Sequence, residues 1–591
     1  MGEFQGNEVA AKGDQEGLFT SLLGTDDPGA LMATLSCHCV SCGSMTDGGG
    51  EGGNTVGSYA TTPTDSSYRY VAPTESLAAA GGGIAALMAG SKWTSVDAAS
   101  AKTIITFSFA DPATSTFAYA NNDFQSTLST FSGADRQLTR DLLARIEAVC
   151  NVQFVEVADN ALECGVLRYG YSQQPNAMNF AGYAFFPSSG AIGGDVWIGA
   201  NQARPEWDFY RPDLILHETL HAMGLKHPFS TGAVLSAGQD IIPNTVMSYS
   251  TLPGASSGYM SKYPGEPMPL DIAALQYLYG ASAAKAGDTV YDLAGADFQA
   301  GFRAIWDAGG VDVLDAGKVG RGVALNLNDG TGSNVGVTVT ATGTVAGSKV
   351  TTSYSDTLSI AVGAQIENAV GSAFGDTLVG NGAANRLEGG GGDDRLEGRA
   401  GNDILVGGSG GNWLDGGDGL DTAIFQSSRA SYALGQTAQG VQVSGSNSAD
   451  LLSGVERLSF GDVNLAFDLG GNAGTAAKVI GAVFGASFVK NAEYVGAGLQ
   501  LLDAGMSCQS LLQLALGCRL GPGASNEAVV GLLYQNLLGS APTAADKAFY
   551  VALLDQGTFT QAGLGQIAAD HALTLANIDL VGLAANGLEY A

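Results

Sequence analysis

The chain has 591 residues, of which 45% are hydrophobic and 14% charged, with a formal net charge of −31. That length accommodates several domains, and the apolar content excludes a disordered acidic polymer. The charge excludes nucleic-acid phosphates as a partner and disfavours anionic membranes, and no apolar run approaches the ~18 residues of a transmembrane span.

Residues 1–75 carry little regular pattern and are rich in Gly, Ser, Thr and Asp. Met1 to Gly24 lacks a basic stretch followed by an apolar one, so it does not read as a secretory signal peptide. Cys37-His38-Cys39-Val40-Ser41-Cys42 places three cysteines and a histidine in six residues. The pattern suits a surface loop or small disulfide knot. It also suits a removable pro-segment of a zymogen, with Cys37, Cys39 or Cys42 offering a soft ligand to a metal. The glycine-rich run 48–53 reads as a linker.

A compact domain is expected over 76–285. Ala85–Trp93 is predicted as a short helix and Thr103–Phe109 as its first strand. Leu138, Leu142, Ile146 and Val149 recur at helical spacing across 133–150. Further strands are predicted near 153–157 and 166–169. Cys150 and Cys164 flank the first of these and are candidates for a disulfide, although spacing alone does not establish one.

Residues 217–227 read His-Glu-Thr-Leu-His-Ala-Met-Gly-Leu-Lys-His and hold three of the chain's five histidines. His217 and His221 are four apart and share a helix face, where they can grip one metal ion. Gly224 lets the chain leave the helix and return His227 as a third nitrogen ligand. Three imidazoles with a fourth position open describe catalytic rather than structural zinc, and Glu218 stands where a general base for a bound water belongs. A bare His-Glu-x-x-His also arises by chance in helices. Here the extended form is followed by Asn244-Thr245-Val246-Met247-Ser248-Tyr249, the Met-turn context such a motif requires.

A β-rich stretch is expected from about 286, and 286–470 reads as one domain. Asp376, Asn385, Asp394, Asp403, Asn412 and Asp421 are spaced nine apart without a slip, and each of the first five is followed two residues later by leucine. This is the RTX nonapeptide, Gly-Gly-x-Gly-x-Asp-x-Leu-x. Its carboxylates and carbonyls are hard donors suited to calcium (Ca2+), and its leucines fill a parallel β-roll needing two repeats per turn. Gly407-Gly408-Ser409-Gly410-Gly411 mimics an esterase elbow, but it lies inside the repeat lattice and not between a strand and a helix. Val455–Phe460 reads as a closing strand. Residues 471–591 turn Ala- and Leu-rich with helical periodicity.

From about Trp93 to Asp468 the chain resembles the serralysins, secreted calcium-dependent metzincin proteases with RTX repeats. The resemblance rests on the motif, the Met-turn, Gly193–Ile198, Pro267–Gly280 and the repeats. It implies a multidomain protein: an α+β metzincin protease domain, a parallel β-roll and an all-α C-terminal domain. It implies that His217, His221 and His227 hold zinc (Zn2+), that Glu218 is the base, and that Met247 floors the metal. Tyr249 is implied as a displaceable ligand that later bonds the tetrahedral intermediate. Gly194, Asp195, Val196 and Trp197 are implied to form an edge strand beside bound peptide, and Asp307–Asp315 the start of the roll. Protein or peptide substrates follow, with an extracellular location reached through type I secretion machinery. The tail around Leu532–Gly539 resembles a helical module on RTX and surface-layer-associated proteins, which implies a cell-surface partner. A competing reading is a non-catalytic calcium-binding adhesion protein, against which the intact Glu218 counts. An RTX lipase is disfavoured because no credible nucleophile elbow is present.

Overall fold

The computed structural model describes residues 70–71, 82–95, 100–117, 123–188, 192–446 and 448–591. The segment with Cys37, Cys39 and Cys42 lies outside them. The chain divides into two compact units. The first contains the described residues up to Asp312 together with 328–366, and the second contains 313–327 and 367–591. The helical tail therefore shares a unit with the repeats, and 286–312 goes with the histidine motif.

The first unit is built on a five-stranded mixed sheet. Its strands are β1 (Thr103–Phe109), β2 (Val152–Glu156), β3 (Leu167–Ser172), β4 (Gly182–Ala184) and β5 (Asp195–Gly199), in the order β2-β1-β3-β5-β4. All neighbours are parallel except β5 and β4. Helix α1 (Gly133–Val149) is capped by Ser132, whose hydroxyl accepts from Asp135 N–H, and it buries Leu142, Leu143, Ile146 and Val149. Helix α2 (Arg211–Ala222) carries Pro212 in its first turn, where a missing N–H costs nothing, and is buried from Asp213 to Ala222. Helix α3 (Pro269–Tyr279) follows the Met-turn region. A second sheet in this unit joins Ala255–Met260 to the long hairpin Gly332–Val345 and Ser348–Ile360, turned at Ala346-Gly347 with positive φ at both.

Three expectations need correction. Ala85–Trp93 is not a helix: helix ends at Ala85, and Leu87–Ala89 runs extended against the chain after α2, with Met88 bridging Leu225. Lys226 N–H donates to Leu87 O at 2.7 Å and Ala89 N–H to Gly224 O at 2.9 Å, and this pairing overrides the local preference of an Ala-Leu-Met run. Cys150 and Cys164 are both buried free thiols, and Cys150 donates to Ile146 O at 3.4 Å. The segment of Gly194, Asp195, Val196 and Trp197 is not an edge. Both sides of β5 are occupied, by Leu167–Ser172 and by Gly182–Ala184, and β4 is the last strand of the sheet on this side.

In the second unit, short parallel strands stack into two sheets. Each residue pairs with the one 18 positions on: Leu378 with Leu396, Leu387 with Leu405, Leu396 with Leu414 and Leu405 with Ala423. One coil is thus two nonapeptides, and these side chains are between 0% and 1% exposed. The strand expected to close the roll, Arg457–Ser459, does not end its sheet; Asn464–Ala466 and then Leu588–Tyr590 continue it antiparallel. Eight helices lie between Asn472 and Asn586, packed on a core that includes Val479, Val483, Leu499, Leu512, Leu516, Val529 and Leu533. The tail is therefore helical but not purely so. No helix among the described residues is long and apolar enough to cross a membrane.

Candidate active site

Helix α2 places His217, Glu218 and His221 on consecutive turns, and the chain then breaks at Gly224, where φ is +106°. A Cβ there would stand 2.2 Å from Ser91 O, so only glycine fits the turn. The break returns His227 against the helix. His227 Nε2 lies 3.1 Å from His217 Nε2 and 3.0 Å from His221 Nε2. Two of the remaining ring nitrogens are committed elsewhere: His217 Nδ1 pairs with Val246 O and His221 Nδ1 with Leu225 O, each at 2.7 Å. Because Nδ1 of these two rings must donate to a carbonyl, their Nε2 lone pairs are left facing His227 Nε2. Burial lowers the His217 imidazole to about 4, against the pull of the Val246 carbonyl. Burial, and then His217, lowers His221 well below its usual range. Three Nε2 atoms gathered this closely fit a cation, and all-nitrogen donors at this spacing fit zinc.

Around this trio, Tyr249 brings its hydroxyl to 2.7 Å from His227 Nε2, with its ring 5.7 Å from that of His217. Met247 is fully buried. Glu218 is buried against the edge strand, and a Cβ on Gly182 would fall 2.6 Å from Glu218 Oε1. The strand that borders the carboxylate is thus β4, which sequence reading passed over because it spans three residues and opens with glycine.

Asp271 was not assigned a role by sequence reading. From the first turn of α3 its Oδ1 accepts from Thr245 Oγ1 at 2.5 Å, and its Oδ2 accepts from Val246 N–H and Met268 N–H, each at 2.9 Å. Val246 therefore bonds Asp271 through its N–H and His217 through its C=O. This relay braces the imidazole through a residue 29 positions away in sequence. Asp271→Ala is expected to weaken zinc binding by about 10–100-fold, measured by competition with a chelator. Unaltered affinity would mean that the relay holds nothing in place.

In the roll the six repeat positions form two columns. Asp376 N–H donates to Asp394 Oδ1 at 2.8 Å and Asp394 N–H to Asn412 Oδ1 at 3.0 Å. Asn385 N–H donates to Asp403 Oδ1 at 2.7 Å and Asp403 N–H to Asp421 Oδ1 at 2.8 Å. Two residues beyond the repeats extend the columns: Asp450 accepts from Asn412 N–H at 2.9 Å, and Glu456 from Asp421 N–H at 3.0 Å. They were missed because a hairpin, Ala433–Thr437 and Gly440–Ser444, interrupts the period of nine. The second oxygens of Asp394, Asp403 and Asp421 are buried without a hydrogen-bond partner. Each faces a space beside a glycine that also holds a carbonyl of the next coil. A Cβ on Gly398 would meet Asp403 Oδ2 at 2.2 Å and Gly416 O at 2.6 Å. Oxygen-lined cradles of this kind fit calcium.

Residues 370–405 and 397–424 match the RTX calcium-binding nonapeptide repeat family (4 copies). The chain is also similar to serralysins. It is 30% identical over 255 residues to Serralysin B of Dickeya chrysanthemi, covering 39% of this chain and 50% of that protein. It is 31% identical over 275 residues to Serralysin G of the same organism, covering 42% and 54%. It is 31% identical over 261 residues to Metallopeptidase AprA of Pseudomonas marginalis, covering 39% and 50%. The chain thus spans about half the length of the curated relatives it matches.

Proposed function

We propose that this chain is a zinc endopeptidase of metzincin type that works outside the cell on protein substrates and is stabilised by calcium in its roll. The observation that carries the reading is the convergence of three histidine Nε2 atoms beside a buried Glu218. His217, His221 and His227 hold the ion. When bound, zinc supplies Lewis acidity toward the scissile carbonyl and acidifies a water. Glu218 takes that water's proton and hands it to the leaving amine. Tyr249 donates its hydroxyl to the oxyanion as charge develops. Substrate lies extended beside Gly182–Ala184, the strand that borders Glu218, and reading main chain rather than side chains there gives broad specificity.

In this reading 76–285 is the protease domain, 1–75 a pro-segment, 286–470 a β-rich region whose repeats form the roll and whose residues 286–312 and 328–366 share the protease unit, and 471–591 a module for surface attachment or type I export. Asp376, Asn385, Asp394, Asp403, Asn412 and Asp421 line the calcium positions. The test is cleavage of an unfolded protein by the purified chain in calcium, before and after zinc is stripped and restored. Activity that vanishes and returns with zinc supports the reading. Inactivity in every state, including after proteolytic trimming of the first 75 residues, overturns it in favour of a calcium-binding surface protein.

A further inference from the structure

Two residues past His227, Phe229 is held beside the histidines in an arrangement that the chemistry above does not use. Its ring lies 5.0 Å from that of His227 at an interplanar angle of 6°, and 5.0 Å from that of Tyr249 at 52°. It remains 44% exposed although it is large and apolar. The ring is thus stacked on a candidate ligand with Tyr249 beside it, and 44% of the residue stays open to solvent. The loop that carries it is tied down. Ser230 N–H donates to His227 O at 3.1 Å, Leu235 N–H to Pro228 O at 3.0 Å, and Lys226 Nζ to Ala233 O at 3.1 Å. Burial would ordinarily claim such a ring, so a fixed, exposed phenyl face beside the reacting atoms marks a contact waiting for an apolar group. Phe186 stands edge-on to His221 with ring centroids 5.5 Å apart. It lies two residues beyond Gly182–Ala184, so that strand leads to a second aromatic ring beside the histidines.

We propose that Phe229 is a specificity-determining residue. Its open face is the platform for an aromatic or large aliphatic side chain adjoining the scissile bond, so this chain cleaves preferentially beside such residues. The proposal rests on the endopeptidase reading. Flat stacking on Phe229 rewards a ring or branched chain and gives nothing to Ala or Gly, whereas charged side chains would lose hydration against it. Leu in place of Phe keeps the apolar area and removes the stacking face.

The test compares kcat/KM for matched peptides that carry Phe or Ala beside the cleaved bond, with cleavage sites read by mass spectrometry. Wild type, Phe229→Leu and Phe229→Ala are assayed with their zinc content determined. Phe229→Ala is expected to lower the Phe-over-Ala ratio by about 10-fold, the size of effect a lost apolar contact gives. Phe229→Leu should fall between, with zinc retained in all three. An unchanged ratio in active, zinc-loaded Phe229→Ala overturns the assignment and leaves the endopeptidase reading standing. No cleavage by wild type of either peptide or of unfolded protein overturns both. Phe229→Leu separates specificity from folding: a soluble, zinc-loaded Leu variant with wild-type preference also counts against the platform.

Discussion

Glu218→Gln is expected to lower kcat/KM on an unfolded protein by about 10²–10⁴-fold, the range a positioned general base supplies, with zinc still bound. The substitution is close to isosteric, which matters here. Glu218 is fully buried, and the room for its carboxylate exists because residue 182 has no side chain; a Cβ there would stand 2.6 Å from Oε1. Glutamine fills the same volume and leaves His217, His221 and His227 in place, but it cannot accept the water's proton. Zinc content by atomic absorption, beside initial rates, separates a lost base from a lost metal. A zinc-loaded variant that cleaves at the wild-type rate would remove Glu218 from the chemistry.

Stripping calcium is expected to unfold the roll at neutral pH, seen as loss of strand signal in circular dichroism and its return on titration with calcium. Burial first, then neighbouring carboxylates, raises Asp394 and Asp421 to about 7. Burial raises Asp403 to about 6. Without the ion, the folded roll holds protons that the unfolded chain has already released. These three groups therefore favour the folded state below the ordinary carboxylate range, and that contribution is lost as pH rises through about 6 to 7. The calcium-free protein should melt higher at about pH 5 than at about pH 8, and calcium should reverse that order because protons compete for the same oxygens. A calcium-free roll that melts at the same temperature across this window would show that the facing carboxylates do not oppose folding.

Much of this was legible because it depends on spacing within one segment. The period of nine determined the 18-residue coil and which leucines fill it, and the histidine pattern determined which rings meet. Arg399 shows how far the lattice constrains the chain: it occupies a position held by Gly390 and Gly408 in the neighbouring repeats and still adopts φ of +79°. What sequence did not reveal depends on partners far along the chain. Leu87–Ala89 becomes extended because residues near Leu225 pair with it. Asp271 acts through Val246, and the end of the sheet lies at Gly182–Ala184 and not at Gly194–Trp197 because sheet order is set by tertiary pairing. Asp450 and Glu456 join the columns 38 and 35 residues after their partners, beyond the reach of any periodic search.

The hydrogen bonds along the columns all run one way, each backbone amide capped by a carboxylate or amide oxygen 18 residues further on. The roll therefore has a direction of assembly. In a chain that emerges from a ribosome or a pore with its amino end leading, no coil can close until the next has appeared. The coil at Asn412 must wait for Asp450, the longest interval of all. Closing that long loop is the slowest contact to find by diffusion, so the hairpin between them sets the moment at which the roll locks.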